Sequence, residues 1–319
     1  MENENIEFEN EIPKKDNPYT IPIAIIIAGV MISVTIIFTT AQNPSNKVTR
    51  NANVSALEEI VLPSTGVVLP VSWGDLGAKL VSVGAIDGEK FKALYEERGQ
   101  LTEEYKQLLT GTSDDKLKIT KDNAGYILNL FWALGLANSN PILDSGEMSD
   151  RAYGGAQNFA STGGWTMAKG SPMNHYSSHR FINLTPEQQA LVDKVSRGIY
   201  RPCCNNSTHF PDCNHGMAML GLLELMASQG VSEQDMYKTA LAVNAYWFPD
   251  TYISIAAYMK NKGIEWKDVN PEEILGINYS SASGYAKIAS QVTVPNSPQG
   301  GSGCGVDTGA PAKPQGCGI

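Results

Sequence analysis

NAGYILNLFWALGLAN (residues 123–138) and CNHGMAMLGLLELMASQ (residues 213–229) decide the fold class. The first is apolar on nearly every side from Tyr126 to Ala137, which marks a buried helix and not an amphipathic one, and it is too short to cross a membrane. The second is equally apolar after Cys213. Around them the pattern keeps a period near 3.6. Asp87 opens DGEKFKALYEERG, in which Phe91, Leu94 and Tyr95 share a face. Thr102 with Glu103 and Glu104 starts another segment, and Thr185 begins TPEQQALVDKVSRGIY with Pro186 at the first helical position. Further helices are expected over Ser232 to Phe248 and Asp250 to Lys262. The period-2 alternation of a substantial sheet is hard to find. These readings give a mainly α chain with one helical domain of about seven to nine helices over residues 58–294.

Outside that domain the composition changes. Ile21 to Phe38, IPIAIIIAGVMISVTIIF, runs 18 positions without a charge and is expected to be a single transmembrane helix that contacts the lipid bilayer. The run exceeds the apolar region of a cleaved signal peptide, although TTAQ after Phe38 is a weak cleavage site. Lys14 and Lys15 lie before it and Lys47 and Arg50 after it. The first pair is closer to the apolar core, so the bulk of the chain is expected on the extracytoplasmic side of the cell membrane. Residues 1–20 carry six acids and two lysines and read as a disordered acidic tail. Residues 39–57 read as a polar stalk. In residues 295–319, 11 of 25 positions are Gly or Pro, which reads as a flexible tail carrying Cys304 and Cys317. LPSTG, from Leu62 to Gly66, spells a cell-wall sorting signal but lacks the C-terminal setting such a signal needs. It is expected to be a turn between two short extended pieces, EIVL and VVLPV.

Charge and composition exclude some partners. The net charge is −9 and no basic run is present, so no nucleic acid is expected to bind. No GxSxG, HExxH or phosphate-cradling glycine motif supports a hydrolase or nucleotide enzyme. What remains is a cluster. His175, His179, His209 and His215 are the only histidines of the chain and fall within 41 positions, together with Cys203, Cys204 and Cys213.

Ser171-Pro172 signals a helix start, and a helix running through Arg180 would place His175 and His179 at i and i+4, able to share a metal ion. The loop RPCCNNSTHFPDCNH is denser, with thiols and imidazoles whose mix suits zinc, copper or iron. Pro211-Asp212 puts Cys213 at the start of a buried helix, where backbone N–H groups and the helix dipole favour a thiolate. Glu224 is the sole charge between His215 and Gln229 and is expected to mark the helix edge that meets solvent.

Three readings stay open. A transition metal ion is held by ligands drawn from Cys203, Cys204, His209, Cys213 and His215, with His175 and His179 completing or flanking the site, in a redox or metal-handling role. Alternatively Cys213 is the catalytic nucleophile of a thiol–disulfide oxidoreductase, resolved by Cys203 or Cys204, without the usual CxxC spacing. In the third, a disulfide-stabilised, non-enzymatic envelope protein binds a partner. Cys304 and Cys317 would reach a redox or protein partner. The run RPCCNNSTHFPDCNHGMAMLGLLELMASQG, with NLFWALGLAN before it and AVNAYWFPDTY after it, resembles a set of single-span bacterial envelope proteins of unassigned role. The resemblance covers most of the helical domain and implies a cell-envelope setting without an activity.

Overall fold

Two helices whose glycines meet form the centre of the domain. The structure is a computed structural model that describes residues 55–292. It begins with a short helix, α1 (55–61), which buries Leu57 and Val61. A turn over Pro63 to Gly66 leads into strand β1 (Val67–Gly74), and Gly66 N–H donates to the Pro63 carbonyl. Helices α2 (Leu76–Val83), α3 (Gly88–Glu97) and α4 (Glu103–Thr110) follow, then strand β2 (Ser113–Ile119). Central helix α5 (Ala124–Ala137) precedes the one-turn α6 (Pro141–Asp144). A long loop with four 3-10 turns ends at α7 (Pro186–Gly198). After the cysteine-bearing loop come α8 (Asn214–Ser228), α9 (Glu233–Trp247) and α10 (Pro249–Asn261). Three short helices, α11 (Pro271–Leu275), α12 (Ile277–Ser280) and α13 (Ala282–Ala289), complete the described chain.

The fold is mainly helical, as the apolar runs indicate. Local signals act where the sequence places them. The Asp87 carboxylate accepts from Lys90 N–H, the Thr102 hydroxyl from Tyr105 N–H and the Ser232 hydroxyl from Asp235 N–H. Thr185 and Gln188 form a reciprocal capping box that satisfies two otherwise orphaned amides. Helices α5 and α8 pack along their length, with α7 and α9 against them. Every residue of α5 except Gly125 is buried, as is every residue of α8 except Ser228. Their close approach depends on two glycines. A Cβ on Gly135 would lie 2.0 Å from the Met217 carbonyl oxygen, and one on Gly221 would lie 2.6 Å from that of Phe131.

Several expectations need correction. Residues 55–57, assigned to the stalk, and the EIVL piece, read as extended, form α1 instead, because Leu57 and Val61 sit one turn apart and bury one face. Thirteen α-helices are present among the described residues, not seven to nine, because α6, α11 and α12 are single turns set by Asn or Gly boundaries and carry no visible period. A two-stranded antiparallel sheet is also present, pairing Val67 with Ile119 and Gly74 with Ser113. VVLPV is extended, as expected, and Leu69, Val71 and Trp73 alternate inward on β1. Residues 171–180 form only a three-residue 3-10 turn, Pro172–Asn174, so no helix carries His175 and His179. Among the described residues no helix is long and apolar enough to cross a membrane. The expected span over 21–38, the acidic tail and the Cys304/Cys317 tail lie outside the described residues.

Candidate metal centre

The loop between α7 and α8 is built around a buried arginine. It leaves α7 at Ile199, and Tyr200 N–H donates to the Leu275 carbonyl, 2.8 Å away. Tyr200 and Ser207 form an isolated bridge that turns the chain back. The Cys204 carbonyl accepts from Ala282 N–H at 2.8 Å, and the Asn205 side chain accepts from Ser283 N–H at 2.9 Å, which pins the loop to α13. Inside the turn lies Arg201, 1% exposed. Its Nη1 donates to the Asn206 carbonyl (3.1 Å), its Nη2 to the Phe210 carbonyl (2.9 Å) and to the Asp212 carboxylate, and its Nε to Cys213 Sγ (2.9 Å). A guanidinium presents five N–H groups in a rigid fork, and this loop wraps two carbonyls, a carboxylate and a sulfur around it. Gly216 makes the room, because a Cβ there would lie 2.5 Å from Arg201 Cζ.

Cys213 is the N-cap of α8, and its sulfur accepts from Gly216 N–H at 3.4 Å. Burial alone would raise its pKa. Hydrogen bonds from Cys203 and Cys204, the Arg201 charge and a hydrogen bond from His215 reverse that, and hold the Cys213 thiol well below its ordinary range. The neighbouring thiols pay the opposite cost: hydrogen bonds with Cys204 and Cys213, together with burial, push Cys203 well above the usual thiol range.

Three ligand atoms converge on one point. Cys203 Sγ, Cys213 Sγ and a ring nitrogen of His215 all lie within 4.8 Å of one another, and the two sulfurs are 3.4 Å apart. With metal–sulfur bonds of about 2.3 Å, two thiolates on a tetrahedral ion stand about 3.8 Å apart, so a few tenths of an ångström separate this arrangement from a coordination sphere. His215 is buried against aromatic rings, 4.2 Å from the Phe248 centroid and 6.0 Å from that of Trp247. Its Nδ1 is buried without a hydrogen-bond partner.

A second group, Cys204, Asp212 and Cys213, also lies within 4.8 Å. There Arg201 already bridges Cys213 and Asp212, while Asn206 Nδ2 occupies the other carboxylate oxygen at 2.8 Å. The cation of that second group is the arginine itself. Cys204 instead faces Asp212 Oδ1 (3.7 Å) and the Asn206 carbonyl (3.9 Å).

The other histidines go elsewhere. His209 turns to α7, where its Nε2 meets Asp193 Oδ1 at 2.7 Å and Arg197 Nη2 at 2.8 Å. His175 Nδ1 and His179 Nε2 do meet, at 3.1 Å, and the rings stack with His179 on Phe181. A turn through Ser177, at φ 49°, brings them together in place of a helix. His175 Nε2 faces the Lys169 carbonyl at 3.2 Å. Neither His209 nor this pair joins a group of three metal-ligating side chains among the described residues. Glu224 also departs from expectation. It is 0% exposed, in the middle of α8, and its two oxygens accept from Asn138 Nδ2 (3.1 Å) and Asn140 Nδ2 (2.6 Å).

No family model matches the chain, and no curated protein or solved structure matches it either. The centre is therefore read from its own residues. Sequence reasoning missed Arg201, Asp212 and the Trp247-Phe248 wall. The one signal for the first was Arg201 as the sole arginine or lysine of RPCCNNSTHFPDCNH, a loop that also carries Asp212.

Proposed function

We propose that this is a membrane-anchored, extracytoplasmic protein that binds one transition-metal ion through Cys203, Cys213 and His215. The observation that carries the reading is the convergence of two sulfurs and one imidazole within 4.8 Å, with His215 Nδ1 buried and unpartnered. An orphaned buried nitrogen costs about 1–3 kcal/mol unless something satisfies it, and a thiolate held by a buried arginine is a ligand prepared in advance. Two sulfurs and one nitrogen favour zinc or copper over the oxygen-loving cations. Three protein ligands leave a position open, which suits metal handling or chemistry at the ion better than a closed structural site. The Asp212–Arg201–Cys213 chain supplies the outer hydrogen bonds that orient such a ligand. The anchor rests on the 18-residue apolar run at 21–38 and its nearer lysine pair.

The test is elemental analysis of the full-length protein, purified in detergent under reducing conditions without chelator. One ion per chain is expected, lost in Cys213→Ser and His215→Ala and kept in His209→Ala and in the His175→Ala/His179→Ala pair. Full occupancy in His215→Ala would overturn the ligand assignment. An impermeant thiol label applied to intact cells is expected to reach Cys317; labelling only after lysis would reverse the topology.

A further inference from the structure

We infer that Cys203 and Cys213 also form a reversible dithiol–disulfide couple that exchanges with low-molecular-weight disulfides, so that oxidation and metal binding exclude each other. The couple stands on the geometry of the two sulfurs. The exclusion rests on the metal reading above.

The two sulfurs are 3.4 Å apart, and neither is committed to another cysteine. Bonding needs an approach to about 2.05 Å, a movement of little more than 1 Å. Cys213 is fixed as the α8 cap by Gly216 N–H and Arg201 Nε, so the movement falls to the Cys203 side chain. The pair also differs in access. Cys213 is 0% exposed, whereas Cys203 is partly exposed. An external disulfide therefore meets Cys203 first, and the buried partner completes the exchange from within.

The chemistry balances with a small disulfide, RSSR, as the oxidant. Cys203 passes its proton to Cys213 Sγ, 3.4 Å away, and attacks one sulfur of RSSR; the S–S bond breaks, RS⁻ leaves and takes that proton from Cys213, and a Cys203–SR mixed disulfide remains. Cys213 Sγ⁻ then attacks Cys203 Sγ; the Cys203–SR bond breaks and the second RS⁻ leaves and is protonated. Two thiol groups are oxidised by two electrons and RSSR is reduced to two RSH. Excess RSH reverses both steps. Arg201 Nε donates to Cys213 Sγ at 2.9 Å and holds that sulfur in place for the second attack. Cys204 Sγ lies 3.7 Å from Asp212 Oδ1, and neither step forms a bond to it. A disulfide leaves neither sulfur as a thiolate, so the metal is released on oxidation.

The experiment equilibrates the full-length protein with glutathione buffers of graded oxidised-to-reduced ratio, quenches with acid and an alkylating agent, and locates modified cysteines by peptide fragmentation. The expected result is joint protection of Cys203 and Cys213 with Cys204 alkylated, reversal by excess reduced glutathione, and unchanged behaviour in Cys204→Ser. In Cys213→Ser, glutathione is expected to accumulate on Cys203 as a trapped mixed disulfide. A Cys203–Cys204 linkage, or free Cys203 and Cys213 in the most oxidising buffer, overturns the couple. Zinc measured on the same samples is expected to fall in step with protection, and zinc retained by fully oxidised protein overturns the exclusion. If no zinc binds in any buffer while the linkage forms, the metal reading and the exclusion fail and the couple stands.

Discussion

Arg201 is a guanidinium 1% exposed, and it can sit there only because the loop answers it on every side. Removing it strands Cys213 Sγ, the Asp212 carboxylate and two carbonyl oxygens in a dry pocket. Arg201→Met is expected to cost about 3–5 kcal/mol, the usual penalty for breaking a buried pair from one side, and Arg201→Lys to recover only part of that because an ammonium cannot fork. Chemical denaturation measures both; a loss under about 1 kcal/mol for the methionine variant would remove Arg201 as the organiser of the loop. Glu224 poses the opposite problem. Burial pushes its carboxyl up to about 8, against the lowering effect of hydrogen bonds from Asn140 and Asn138. The folded state therefore binds a proton that the unfolded state, near 4.5, has already released. Between those values the native state holds more protons, so stability falls as pH rises and levels off above about 8. Urea unfolding at about pH 5 and about pH 8.5 is expected to show a loss on the order of a few kcal/mol in the wild type, and a flatter profile in Glu224→Gln. Equal slopes in the two proteins would show that Glu224 is not the titrating group.

Helices α5 and α8 show how little space two buried elements can share. With Gly135 facing the Met217 carbonyl and Gly221 facing that of Phe131, backbone lies on backbone, and no side chain separates the helices there. Gly135→Ala puts a methyl group 2.0 Å from a carbonyl oxygen, so the helices must part. Overpacking of this kind is expected to cost roughly 3 kcal/mol and to lower Tm by on the order of 10 °C, read by calorimetry. A variant as stable as the wild type would show that the helices are not held at this spacing. Elements of this kind were legible in advance because their causes are local: apolar residues on every side of α5 and α8, Thr185 with Pro186 and Gln188, and Asp87 three residues before Lys90. The loop over 170–182 was not. HxxxH spacing correctly puts two imidazoles together, but Ser177 in the left-handed region and the carbonyls of Leu136 and Ala137 set that geometry, and none of these shows as a period.

Across the molecule, chain distance and partnership separate. His209 is four residues from Cys213, yet its ring turns to Asp193 and Arg197 on α7; Tyr246 reaches the Pro63 carbonyl, 183 residues away. Of the seven clustered residues, Cys203, Cys213 and His215 meet in one group and Cys204 joins Cys213 in another, while His209 and the His175–His179 pair stand apart. The Cys203–Cys213–His215 group spans the cysteine loop and α8, and that loop is tied in turn to α11 and α13, so an ion bound there would brace all of them. Free zinc at about a hundredfold its Kd is expected to stabilise the protein by about 2.7 kcal/mol in thermal unfolding, an effect that should vanish in His215→Ala. No shift in the wild type would mean that the native state binds no zinc.

One aromatic contact carries a consequence of its own. The imidazole of His215 lies 6.0 Å from the indole of Trp247, whose Nε1 is tied to the Ala124 carbonyl at 3.2 Å. An indole held in one pose beside a ring that an ion would bind is an internal lamp: its emission responds to what is bound at the neighbour. What happens at the sulfurs and the imidazole is thus coupled to ultraviolet fluorescence without any dye or added label.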